Sequence, residues 1–169
     1  MPSFRAARGT RDLLPDETPT WTRVERLAAD LASRYGYRRI ETPMFEQVAL
    51  FERGVGEVTD IIEKELFRIV PRSEEAEAWA LRPEPTAGIV RAYVQHGMQT
   101  WPQPVKVYEI GPMFRYDRPQ AGRYRQFWQI GAELIGTAAP GADIEMIALF
   151  VDLFEAWGFQ NLEVAINSV

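Results

Sequence analysis

The stretch VKVYEIGPMFRYDRPQAGRYRQFWQIGAELI, residues 105–135, decides the fold. Its halves read as two long strands, Val105 to Tyr116 and Arg123 to Ile135. The polar turn Asp117-Arg118-Pro119-Gln120-Ala121-Gly122 joins them, its proline and glycine breaking regular structure. Alternate residues of a strand share a face. On the second strand Trp128, Ile130, Ala132 and Leu134 form an apolar face, and Phe127, Gln129, Gly131 and Glu133 form the other. On the first strand Glu109, Gly111, Met113 and Arg115 lie together. A turn centred near residue 120 sets Arg115 across from Arg125 and Gly111 across from Gln129.

One face of the hairpin then displays Glu109, Gly111, Arg115, Phe127, Gln129, Gly131 and Glu133. Such a set makes a poor core and a good pocket floor. The missing glycine side chains leave room for a ligand, the charges offer an anion site and an ammonium site, and Phe127 offers a surface for stacking. A solvent-facing sheet side with incidental charge pairs would alternate in the same way. The turn favours the pocket. Arg115, Arg118, Arg123 and Arg125 crowd around it against Asp117 alone, and like charges so close repel unless an anion such as a polyphosphate sits among them.

Working outward, Leu81-Arg82-Pro83-Glu84-Pro85-Thr86-Ala87-Gly88 sits where a strand, Trp79 to Arg82, turns into a helix, Thr86 to His96, closed by Gly97. Capping by Thr86, with Glu84 favoured near a helix N-terminus, accounts for that cluster by itself. Towards the N-terminus, residues 1–18 read as an irregular lead-in. Thr18-Pro19 starts a helix with a capping hydroxyl and a first-turn proline, and Trp21, Val24, Leu27, Ala28 and Leu31 follow at helical spacing until Gly36. A short strand, Tyr37 to Glu41, meets Pro43. A strand interior rejects proline, so the chain there lies at an edge, an end or an interface. Residues 45–53 read as a short helix broken by Gly54 and Gly56. Glu65 to Val70 reads as a strand and Pro71 to Glu75 as a turn. Beyond the hairpin, Asp143 reads as the cap of an amphipathic helix through Ile144, Ile147, Ala148, Val151 and Phe154 that ends at Gly158. Leu162 to Val169 reads as a last strand. The expectation is one α+β domain built on an antiparallel sheet flanked by helices.

Composition narrows the chemistry. The 169 residues are 46% hydrophobic and 25% charged, a globular balance with enough chain for one core. There is no cysteine, which excludes disulfides, thiolate metal sites and cysteine nucleophiles, and His96 is the single histidine, which excludes a multi-histidine metal site. A net charge of −5 speaks against a generally basic nucleic-acid surface, while leaving room for a local patch. All basic residues but Lys64 and Lys106 are arginine, a bias that suits phosphate and carboxylate but also follows from genomic base composition. No apolar run is long enough to cross a bilayer and the N-terminus lacks an apolar signal core, so the expected compartment is the cytoplasm. Neither a Walker-type GxxxxGK[ST] loop nor GxGxxG occurs. A nucleotide would therefore sit on a sheet among arginines.

With those residues in place, the chain resembles the class II aminoacyl-tRNA synthetases, and most closely the histidyl-tRNA synthetase family. Arg8-Gly9-Thr10-Arg11-Asp12-Leu13-Leu14-Pro15 is similar to that family's N-terminus. Gly36 to Glu46 resembles motif 1, whose proline closes a strand at the dimer interface and would explain Pro43. Gly111-Pro112-Met113-Phe114-Arg115 through Phe127 resembles motif 2, and Leu81 to Gly88 resembles the histidine-binding LRPE-x-T segment. The resemblance covers nearly all of residues 1–169 and implies the N-terminal part of a catalytic domain. Motif 3, a second histidine-binding block and an anticodon-binding domain would lie outside it, and these residues alone would catalyse weakly or not at all.

The resemblance also implies roles. Arg115 holds the α-phosphate of ATP, Phe127 stacks on adenine, Asp117 lies near the adenine amino group where glutamate is usual, and Arg123 helps hold the outer phosphates. The histidine-binding set is Glu84, Pro85, Thr86, Gln129 and Glu133. Of these, Glu84, Thr86 and Gln129 receive the α-amino group and Glu133 bonds the imidazole. Pro85 stands where glycine is common, and Trp128 where histidine is common. ATP enters as a substrate with Mg2+ carried by the nucleotide, no protein-bound metal is expected, and the partners are L-histidine, tRNA(His) and a second copy of the chain joined through motif 1. Another reading is a non-catalytic paralogue, the histidine-sensing regulatory subunit of ATP phosphoribosyltransferase. The intact set Glu84, Thr86, Arg115, Phe127, Gln129 and Glu133 favours the enzyme over that sensor, and over a plain interaction module.

Overall fold

The computed structural model describes residues 4–53, 65–71, 73 and 76–167. In chain order the elements are α1 (Thr18–Arg34), β1 (Arg38–Arg39), β2 (Phe45–Gln47), α2 (Val48–Arg53), β3 (Arg68–Ile69), β4 (Trp79–Leu81), α3 (Thr86–Gln95), β5 (Val105–Phe114), β6 (Gln126–Ile135) and α4 (Pro140–Ala156), with a 3-10 turn at Met98–Thr100. They form two three-stranded sheets, ordered β1-β5-β6 and β2-β4-β3.

The hairpin β5–β6 has the register expected from a turn centred at residue 120. Gly111 pairs with Gln129 and Met113 with Phe127, and the Arg115 N–H donates to the Arg125 carbonyl at 2.9 Å. Its apolar face is the main core. Tyr108, Ile110, Ile130, Ala132 and Leu134 pack beneath Ala28, Leu31 and Ala32 of α1 and Leu149 and Leu153 of α4. Both helices cover this face, and Tyr35 donates to Asp152 at 2.5 Å across their contact. The opposite face is left for α3, the β4–α3 loop and the site.

The sheet is antiparallel across the hairpin, as expected, and the two-residue β1 joins it parallel to β5. Several finer expectations need correction. Residues 45–53 do not form one helix. Phe45–Gln47 pairs antiparallel with β4 and the helix starts only at Val48. The strand expected over Glu65 to Val70 shrinks to Arg68–Ile69. Gly54, Gly56, Lys64 and most of the expected turn at 71–75 lie outside the described residues. Thr18 does not cap α1, since its hydroxyl donates to the Pro15 carbonyl at 3.1 Å. Asp143 lies inside the first turn of α4, which starts at Pro140 after Ala139. Residues 162–167 form no strand, because nothing among the described residues supplies them a ladder partner.

Helix ends follow the sequence more closely. Gly36, at φ +84°, closes α1: the Tyr37 N–H reaches the Ala32 carbonyl at 2.9 Å and the Gly36 N–H reaches Ser33 at 3.0 Å. That turn sends the chain directly into β1 beneath its own helix.

Candidate functional site

The segment that resembles motif 2 forms the turn end of the hairpin. Arg115, Asp117, Arg123 and Phe127 line one cavity of about 370 Å³, together with Glu65 and Tyr124. The Arg115 guanidinium lies over the Phe127 ring, 5.1 Å from its centroid, and its Nε donates to the Pro83 carbonyl at 3.0 Å. No carboxylate among the described residues pairs with it. Asp117 accepts from Arg123 at 2.7 Å and from the Arg118 amide at 2.6 Å.

The expected crowd of arginines is therefore dispersed. Arg125 stacks over Tyr116, 4.1 Å from the ring centroid, and donates to the Asp117 carbonyl at 3.1 Å. The lead-in holds it there: its N–H donates to the Gly9 carbonyl at 2.7 Å, and a Cβ on Gly9 would meet the Arg125 side chain at 2.8 Å. No phosphate is needed to explain Arg125. Arg115 is the guanidinium left facing the cavity without a counter-charge.

At the far end of the same face, Glu84 sits at the N-terminus of α3. Its two carboxylate oxygens accept the Thr86 and Ala87 amides at 2.7 and 2.9 Å. Glu84 is thus the cap, not Thr86, and its charge is favoured by the helix terminus. The freed Thr86 hydroxyl donates across to Glu133 at 2.7 Å. Neither carboxylate has an ion-pair partner among the described residues. Burial pushes the Glu133 carboxyl above the usual range, the Thr86 hydrogen bond opposes this, and the nearby Glu84 charge adds to it. An acid so placed is ready for a cation. Gln129 lies between the two ends, across from Gly111.

The glycines do not open room for a ligand. A Cβ on Gly131 would lie 2.8 Å from Pro85, and one on Gly111 would collide with the Arg82 guanidinium. Gly131 admits the ring of Pro85, and Gly111 admits Arg82. Glu109 is likewise absent from the pocket floor: it is 1% exposed and paired with Arg82. Sequence reading missed Arg82 as a member of the site. The signal was there in Gly111, whose small size on an otherwise polar face implied a neighbour close above it. Pro43 stands apart from these residues, exposed on a groove lined by Phe45, Leu50 and Trp79.

Known proteins resemble this chain in sequence and fold. The family model for histidyl-tRNA synthetase matches residues 9–169. A histidine–tRNA ligase of Desulforudis audaxviator is 52% identical over 162 residues, covering 96% of this chain and 38% of that protein. The chain thus spans well under half the length of the curated relatives it matches. The crystal structure of apo S. aureus histidyl-tRNA synthetase superposes with a TM-score of 0.76 at 36% identity, covering 92% of this chain and 35% of that one. A Bacillus halodurans protein described as an ATP phosphoribosyltransferase regulatory subunit/histidyl-tRNA synthetase gives a TM-score of 0.77 at 27% identity, covering 94% of this chain and 40% of that one. With a family match across almost the whole chain, and with the motif 2 and LRPE-x-T residues gathered on one sheet face, this chain belongs to the histidyl-tRNA synthetase family.

Proposed function

We propose that the chain carries the histidine-activating site of a histidine–tRNA ligase. One observation carries the reading. A single sheet face has a guanidinium over an aromatic ring at one end and two carboxylates at the other, none of them with an ion-pair partner among the described residues. Phe127 and Glu133 are about 20 Å apart along β6 at the usual strand rise. An aminoacyl-adenylate has the matching polarity, with a purine and phosphate at one end and a cationic amino acid at the other.

In this reading the histidine carboxylate attacks the α-phosphorus of ATP, forming the acyl–phosphate bond as pyrophosphate leaves. Arg115 stabilises the charge that builds on the phosphoryl oxygens. Its guanidinium must swing off Phe127 before adenine can stack there. Asp117 lies near the adenine amino group, and Arg123 exchanges Asp117 for the outer phosphates. Mg2+ arrives with the nucleotide. Glu84, Thr86 and Gln129 receive the α-amino group, Pro85 shapes the floor beside them, and Glu133 accepts from the imidazole. The 3′ end of tRNA(His) then attacks the acyl carbonyl and releases AMP. A second copy joins through the segment around Pro43. Among the described residues no helix is long and apolar enough to cross a membrane, and the cytoplasm is the matching compartment.

Histidine-dependent ATP–pyrophosphate exchange by the complete gene product tests the reading. Exchange that histidine fails to stimulate would sink it. Tight histidine binding without exchange would instead support the sensing role suggested by the Bacillus halodurans neighbour.

A further inference from the structure

Arg82 is 4% exposed and ties its own segment to two others, residues 42–44 and β5. Its guanidinium pairs with Glu109 and donates to the Thr42 carbonyl and hydroxyl, both at 3.0 Å, and to the Pro112 carbonyl at 3.1 Å. Thr42 closes the loop by donating its hydroxyl to Glu109 at 2.9 Å and its N–H at 3.2 Å. The Arg82 backbone is held as well: its N–H meets the Met44 carbonyl and its carbonyl accepts from Phe114, each at 2.9 Å. Gly111 and Gly88 leave space for this cluster, since a Cβ on Gly88 would sit 2.9 Å from the Thr42 hydroxyl.

A buried ion pair of this kind is poor evidence for stability, because apolar side chains of equal volume often serve as well. What it fixes here is geometry. The next residue, Pro83, has a restricted φ and offers its carbonyl to Nε of Arg115. Two residues on stands Glu84. The orientation of residue 82 therefore propagates to the phosphate end and to the ammonium end of the site. We propose that Arg82 is a positioning residue which, through the Pro83 carbonyl, sets the Arg115 guanidinium for the nucleotide. The consequence for nucleotide affinity rests on the reading of Arg115 given above; the consequence for Arg115 itself does not.

Arg82→Lys keeps the charge against Glu109 but lacks the planar fork that reaches Thr42 and Pro112 together. Two measurements on the full chain test the role. In nitrogen-15 spectra, the Arg115 Nε–H signal is identified by its loss in Arg115→Lys. Calorimetry gives the affinity for MgATP. In Arg82→Lys the Nε–H signal should shift and its solvent exchange should accelerate, and MgATP affinity should fall on the order of tenfold. In an Arg115→Ala background the same change should alter affinity by less than about twofold. An unchanged Nε–H signal, or an equal loss of affinity in both backgrounds, would overturn the proposal. If Arg82→Lys does not fold, Gly111→Ala presses on the same guanidinium and is read by the same two measurements. If Arg115→Ala binds MgATP like the native chain while the Nε–H signal still responds to Arg82→Lys, the nucleotide reading fails and the positioning of Arg115 stands.

Discussion

The two ends of the hairpin face solve their electrostatics differently. At the turn end Arg123 leans on Asp117, Arg125 on Tyr116 and backbone carbonyls, and Arg115 on Phe127. These contacts are half-exposed and exchangeable. At the far end Glu84 is fixed by two amides and Glu133 by one hydroxyl, and among the described residues neither carboxylate has an ion-pair partner. At the turn end Arg123 is thus paired at rest, while Arg115 rests on a ring and a backbone carbonyl with no ion-pair partner among the described residues. The carboxylate end is preorganised and short of positive charge. Under the proposed reading, nucleotide entry would require side-chain rearrangement, whereas a cationic amino acid would meet a site already in place.

The strongest way to break this contrast is Arg115→Ala. It removes a cation that has no ion-pair partner among the described residues, and ATP–pyrophosphate exchange by the complete gene product should fall about 10²–10³-fold. A loss within a few-fold of native would mean that the turn end carries no developing charge.

Glu133→Gln probes the other end. Losing a charged acceptor is worth about 1.5–3 kcal/mol. Histidine affinity should drop by roughly ten- to a hundredfold, with MgATP affinity nearly unchanged. Equal losses for both ligands in calorimetry would merge the two ends into one site.

The same group gives a pH signature. A carboxyl raised in the folded state holds its proton more tightly than in the unfolded chain. The stability it contributes is therefore present below the ordinary carboxylate range and is lost as pH rises through the raised value. Glu133→Gln should remove that loss. The melting temperature of the variant relative to native should rise on going from pH 4 to pH 7, roughly the interval that spans an ordinary and a raised carboxyl. A difference that stays flat over that interval would show that Glu133 is not destabilised by its surroundings.

Smaller effects are expected from the supports of the turn end. Gly9→Ala places a methyl against Arg125 at φ +86°. It should cost about 1–2 kcal/mol, or roughly 2–8 °C in Tm. Asp117→Asn breaks an exposed pair with Arg123 and should change stability by less than about 1 kcal/mol. It should also release Arg123 and leave histidine affinity untouched, which separate titrations can check.

The hairpin was legible because two local signals agreed, the alternation along each strand and the turn between them. Its register, its apolar face and the grouping of Arg115, Phe127, Gln129 and Glu133 all followed from that. What escaped was set by partners distant in sequence. Phe45–Gln47 is a strand only because β4 lies beside it, and Leu162 to Ile166 alternates correctly yet has no ladder partner among the described residues. The glycines of the face were read as space for a ligand, whereas Gly131 receives Pro85 from another segment, 46 positions earlier in the chain. Propensity assigns the cap of α3 to Thr86, but Glu84, two residues earlier, accepts the first amides of the helix with a longer side chain and full charge. That exchange freed Thr86 to bridge to Glu133, a link no local pattern contains.

The clasp between Gly9 and Arg125 also constrains the order of assembly during synthesis. The Arg8 carbonyl and the Arg125 guanidinium that touch in the finished structure are separated by 117 positions. At ordinary translation speeds the ribosome needs on the order of ten seconds to make that much chain. Through that interval the lead-in has emerged without its dock. The clasp at the turn end can therefore close only once Arg125 has been made, and until then the segment around residues 8–11 is open to a protease or chaperone.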